Sequence, residues 1–176
     1  MDIMEKTKAA CEEICAAHLP RWNELPDIEL YMDQVIALMG KYMQGFAEGD
    51  KLLTPSMVNN YVKMGIMPAP VKKKYSRSHL AHLIIICVMK QVIPMTLIQK
   101  FINTGLAELS EQQLLDMTAD YYDVAAAHAA ERTMERAAAI EFDGAAGVNL
   151  LAASCAIRSQ LELRLAEKIA AEVEEK

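Results

Sequence analysis

The sequence predicts an all-α protein in two parts: a compact helical domain with one small basic hairpin, and a long C-terminal helical hairpin. Three observations predict it. Seven Gly and six Pro in 176 residues, with few strand-like alternations, leave most of the chain free to be helical. Residues 52–77, LLTPSMVNNYVKMGIMPAPVKKKYSR, read as a short helix, a stop, a tight turn and a basic extended tail. Beyond residue 106 the chain becomes Ala-rich with one Gly-containing break at 144–147, the pattern of two long helices folded back on each other.

Residues 2–17 form the first predicted helix, ending near Leu19-Pro20. Cys11, Cys15 and His18 lie at i, i+4 and i+7 and share a face that could hold a metal. No fourth ligand is evident, and small cysteines on an Ala-rich helix pack as apolar residues, so neither a metal nor another cofactor is expected. Residues 19–26 connect onward and hold the single tryptophan, Trp22, an anchor on the core. Pro26-Asp27 opens a second helix with Asp27 as N-cap, and Leu30, Tyr31, Val35, Leu38, Met39 and Tyr42 give it an apolar stripe. Residues 45–50 make a polar loop.

The next helix is specified at both ends. The Thr54 hydroxyl suits an N-cap, and Pro55 follows where its missing N–H costs nothing. Gly65 suits the left-handed position past the helix end, with Ile66 packing back on the last turn. Pro68 and Pro70 forbid continuation. At about 100° per residue, Ser56, Asn59, Asn60 and Lys63 fall within roughly a 100° arc, and Met57, Val58, Tyr61, Val62 and Met64 fill the rest. The first set carries groups that reach base edges and phosphates, Asn being able to bond an adenine edge bidentately. Lys72, Lys73 and Lys74 then give three successive cations, with Arg77 beyond Tyr75. A polar-faced short helix followed by a basic hairpin is what a winged helix-turn-helix presents to a major groove and its flanking phosphates.

These residues also resemble a family pattern. NNYVKMGIMPAP followed by KKYSRSHLAHL is similar to the MerR-type winged helix, matched at Tyr61, Gly65, Ile66, Pro68, Tyr75 and Ser76. A closer resemblance, carried by ELPDIELYMDQV at 24–35 and LTPSMVNNYVKMGIMPAPVKKKY at 53–75, is to an uncharacterised bacterial group, domain-of-unknown-function family 1836, over roughly residues 20–105. The resemblance implies a MerR-like winged helix-turn-helix with a small wing and a regulatory role in a bacterial cytoplasm. One departure stands out: MerR-type recognition helices usually carry an arginine where Asn59 stands.

Ser76 or Ser78 caps a helix reaching about Gln91, with Leu80, Leu83, Ile84, Cys87 and Val88 toward the core. His79 and His82 lie three apart on it, as surface or phosphate-contacting histidines rather than metal ligands. Val92-Ile93-Pro94 starts another helix, packed by Leu97, Ile98, Phe101 and Ile102 and closed by Asn103-Thr104-Gly105. Ser110 and Gln113 form a capping box that opens a long helix toward Glu141. The last helix carries a stripe of Leu150, Ile157, Leu161, Leu165, Ile169 and Val173. The expected division is thus an N-terminal helix at 1–19, the winged helix-turn-helix at 20–105, and a hairpin at 106–176 that packs on its own domain or joins two copies.

Charge distribution points the same way. Residues 54–103 hold seven basic and no acidic side chains, whereas 1–53 hold five basic and ten acidic, and 104–176 six basic and fourteen acidic. An acid-free block inside a chain of net charge −6 is a localised positive field of the kind phosphate-binding modules carry. Four cysteines without a disulfide framework and a mixed-charge start, MDIMEK, predict a reducing cytoplasm. The longest apolar run, residues 80–89, is far short of a membrane span. No phosphate-cradling glycine loop, nucleophile elbow or closed Cys/His set is present, so an enzyme is not expected. The reading is a homodimeric regulator that binds double-stranded DNA through Ser56, Asn59, Asn60 and Lys63, with Lys72, Lys73, Lys74 and Arg77 on phosphates. Tyr61 and Tyr75 are packed rings whose hydroxyls reach phosphate. The alternative is a non-enzymatic interaction module that keeps the fold and binds an acidic partner. A third possibility, which the MerR resemblance suggests, is an effector sensor with an unknown small molecule between the C-terminal helices.

Overall fold

A computed structural model describes residues 3–46, 52–141 and 144–172. The described residues are all-α: α1 (Ile3–Ala16), a 3₁₀ turn (Trp22–Glu24), α2 (Met32–Tyr42), α3 (Pro55–Lys63), α4 (Arg77–Met89), α5 (Met95–Glu108), α6 (Glu111–Ala138) and α7 (Gly144–Ala171). Among them there is no strand, only two isolated antiparallel bridges. The chain divides into two compact units, Ala17–Asp123, and Met1–Ala16 together with Val124–Lys176. The polar loop expected at 45–50 falls largely outside the described residues, as does Val173 of the apolar stripe.

In the central unit, Ala17–Asp123, α4 is the element the others pack around. His79 through Cys87 are all buried, including His79 and His82, which the sequence reading set at the surface, so this helix is covered on every side rather than along one stripe. Helices α2 and α5 pack directly on it, and α3 packs on α2. Val35 and Met39 of α2, Val58 and Tyr61 of α3, and Ile98 and Ile102 of α5 complete the core. Leu114, Leu115 and Ala119 from the start of α6 close it.

In this unit two helix boundaries differ from the sequence reading. Asp27 is not an N-cap, and α2 starts only at Met32, after Tyr31. The reason is a non-local pairing: Leu30 exchanges backbone hydrogen bonds with Tyr75, N–H to O distances being 2.9 and 2.8 Å. That pairing holds Leu30 in a bridge, and the residues before it form bends rather than a helix. Similarly, Asn103-Thr104-Gly105 does not close α5, which continues to Glu108. Gly105 serves close packing instead: a Cβ there would lie 2.8 Å from Leu114 Cδ1. The Ser110 capping box forms as expected, Gln113 N–H donating to Ser110 Oγ at 3.2 Å and Ser110 N–H to Gln113 Oε1 at 3.0 Å.

In the terminal unit, α1, the later part of α6, and α7 come together. Gly144, at φ +73°, starts α7 rather than ending a break, and the whole Gly144–Gly147 segment is helical. The Thr133 hydroxyl of α6 lies 3.8 Å from Cys155 Sγ of α7, and α1 packs on α7. Among the described residues, only Ile3, Ala126, Ala137 and Leu151 are buried apolar side chains of this unit. Five members of the α7 stripe stay open: Leu150, Ile157, Leu161, Leu165 and Ile169 are each more than half exposed.

Candidate nucleic-acid interface

Helix α3 is set by its caps. Thr54 Oγ1 accepts from the Met57 N–H at 3.3 Å with Pro55 at the first helical position. At the other end Gly65 adopts φ +69°. The Ile66 N–H donates to Tyr61 O and the Gly65 N–H to Val62 O, both at 3.0 Å, the paired bonds of a Schellman ending. These bonds fix the ends of α3, and burial of Val58 and Tyr61 sets its rotation on the core. Val58 and Tyr61 point inward, and Ser56, Asn59, Asn60 and Lys63 are all exposed.

The turn after Pro70 brings Val71 and Lys74 into a two-residue hairpin, with N–H to O distances of 3.1 and 2.9 Å in the two directions. Its two tip residues are Lys72 at φ +51° and Lys73 at φ +63°. Both positive angles suit a hairpin of this length, whose favoured tip residues are Asn and Gly. A side chain with a full Cβ costs about 1–2 kcal/mol at each such position. The hairpin therefore carries strain at the two residues that present charge to solvent, which is where strain accumulates in binding sites.

The remaining candidates separate into two groups. Lys72 and Lys73 are exposed and, among the described residues, have no ion-pair partner. Lys74 is held by Glu29 at 3.1 Å and lies over the Tyr31 ring at 6.0 Å; the hydrogen bond to Glu29 raises its pKa. Arg77 approaches Asp27 at 3.7 Å and stacks on Trp22 at 5.6 Å, with its Nε buried and unpartnered among the described residues. Asp27 and Glu29 precede the acid-free block, and they partly neutralise it. Lys90, in the same block, is likewise engaged, its ammonium donating to Leu52 O. Trp22 thus lies against a site cation, a contact its place in a connecting segment did not signal.

The two tyrosines are framework. Tyr61 is buried, and burial pushes its hydroxyl up to about 12. Tyr75 is buried beside His79 in an edge-on ring contact at 5.3 Å, and burial raises its pKa as well. What remains solvent-facing is one amide- and hydroxyl-bearing helix face with Lys63 at its end, and a hairpin tip bearing two ammonium groups that have no ion partner among the described residues.

The chain matches the family described as a domain of unknown function, DUF1836, over residues 20–125, and it belongs to that family. The matched segment coincides, to within a few residues at either end, with the compact unit Ala17–Asp123. No curated protein and no solved structure matches the chain.

Proposed function

We propose that this protein is a DNA-binding transcriptional regulator of the bacterial cytoplasm, its central unit acting as a MerR-like winged helix-turn-helix. Helix α3 enters the major groove. Asn59 and Asn60 contact base edges, Ser56 and Lys63 contact bases or nearby phosphates, and Lys72 and Lys73 lie on the backbone. The observation that carries this reading is the coincidence, on one unit, of an exposed polar α3 face with a strained hairpin whose tip lysines have no ion partner among the described residues. Lys74 and Arg77 take a supporting part, since Glu29 and Asp27 already hold them.

A homodimer completes the mechanism. The exposed α7 stripe is too large an apolar surface for water on a helix with so little intramolecular cover. A second copy covers it and presents two α3 helices to a two-fold-related site.

A specific observation favours one second reading. The basic surface already accepts carboxylates, at Lys74–Glu29 and Arg77–Asp27, as it would for an acidic protein partner. Fluorescence anisotropy with a labelled mixed-sequence duplex separates the two. Binding at low salt that disappears at high salt supports the DNA reading. Indifference to the duplex at low salt refutes it in favour of the acidic partner.

A further inference from the structure

Three of the four cysteines lie in the terminal unit, and the fold gathers them from two helices onto the third. Cys11 Sγ of α1 sits 3.7 Å from Ala130 O, and Cys15 Sγ sits 3.7 Å from Ala126 O, one turn earlier on α6. Cys155 Sγ of α7 sits 3.8 Å from Thr133 Oγ1. Ala130 and Thr133 are three apart in α6, so Cys11 and Cys155 both lie beside the same turn of that helix. Helix α1 also packs directly on α7. Cys11 and Cys155 are both half-exposed, whereas Cys87, in the other unit, is fully buried. Burial raises the Cys87 thiol to about 11, which keeps it inert.

We infer that Cys11 and Cys155 are an oxidative modification site, a dithiol that a hydroperoxide converts to a disulfide tying α1 to α7. The thiolate of one of the two attacks the peroxide: an S–O bond forms, the O–O bond breaks, and the leaving oxygen departs as water or alcohol after taking a proton. The other sulfur then attacks the sulfenic sulfur; the S–S bond forms, the S–O bond breaks, and the second thiol's proton leaves with the departing oxygen as water. Two thiols supply two electrons, and one hydroperoxide is consumed.

The consequence is mechanical. With only four buried apolar side chains in the terminal unit among the described residues, α1 is held by little packing, and a covalent link to α7 restrains it. A bridge between Cys11 and Cys15 would lie within α1 and restrain nothing outside that helix. The inference does not depend on DNA binding.

The test is hydrogen peroxide treatment of the reduced full-length protein, followed by intact mass and peptide mapping without reductant. The expected result is loss of two hydrogens, a cross-linked peptide joining Cys11 to Cys155, slower amide exchange across α1, and full reversal by dithiothreitol. Cys87→Ser and Cys15→Ser retain the cross-link; Cys11→Ser and Cys155→Ser lose it. Should either of the last two fail to fold, mapping of the wild type still decides. A Cys11–Cys15 bridge, an intermolecular cross-link, oxygen added to Cys15 alone, or no reaction would each overturn the inference.

Discussion

Replacing Lys72 by Asn and Lys73 by Gly together separates the charge of the hairpin from its shape. The pair at φ +51° and +63° becomes the Asn-Gly that a two-residue hairpin favours, while both positive charges go. Relief of strain at two left-handed positions, about 1–2 kcal/mol each as an upper figure, makes the variant more stable to urea, by about 1 kcal/mol. Binding changes in the opposite sense. Each lysine that neutralises one phosphate contributes about 0.9 to the slope of log affinity against log salt, so the pair contributes about 1.8 per protomer. Between about 50 and 200 mM salt that corresponds to about a twelvefold share of the affinity lost. Lys74→Ala serves as the comparison: with its ammonium already on Glu29 at 3.1 Å, it lowers the slope less than loss of either tip lysine. Anisotropy titrations at several salt concentrations give the slopes, and urea melts give the stabilities. An unchanged slope in the double variant, or an effect of Lys74→Ala as large as that of Lys72→Ala, would refute the assignment of the tip lysines to phosphate.

Gly65→Ala brings its Cβ only into ordinary van der Waals contact, with Gln99 Nε2 at 3.9 Å, yet at φ +69° it destabilises the central unit by about 1–2 kcal/mol, measured by urea unfolding, with Gly65→Asn costing less. His79 is buried and its pKa is lowered from the usual 6.5 by burial; the unfolded chain takes up the proton first as pH falls, so this contribution is intact above about 6.5 and is lost as pH drops below it. His79→Gln keeps an acceptor for the Ser76 N–H, now 3.0 Å from His79 Nδ1, and flattens the pH dependence of the urea midpoint between about pH 7 and 5. Leu161→Glu, at a side chain 58% exposed on α7, converts dimer to monomer in light scattering without lowering helix content; a wild type that is already monomeric removes the dimer from the mechanism.

What the sequence disclosed was local. The ends of α3 were legible because Thr54, Pro55 and Gly65 each act on backbone groups within four residues, and the structure places those bonds where the side chains demand them. Asp27 misled because a Pro-Asp pair carries the same local signal whether or not a helix follows, and the pairing of Leu30 with Tyr75 spans forty-five residues. Gly105 misled for a related reason. A glycine after Asn-Thr reads as a stop, but here its missing side chain admits Leu114, a neighbour known only once α5 and α6 pack. The exposed face of the candidate site was legible from periodicity. Its partial neutralisation was not: Asp27 and Glu29 lie in a segment whose course is fixed by that same long-range bridge. The gathering of Cys155 with Cys11 joins positions near opposite ends of the chain, and no spacing rule reaches that far.

Selection of bound sequences from a random duplex pool, run in parallel with the wild type and Asn59→Ala, tests most directly whether the exposed amides of α3 read bases. The account predicts a shared motif enriched by both, with discrimination lost at one base pair in the variant, a bidentate amide contact being worth about 1–3 kcal/mol. Absence of any enriched motif, or identical motifs from both proteins, would contradict it.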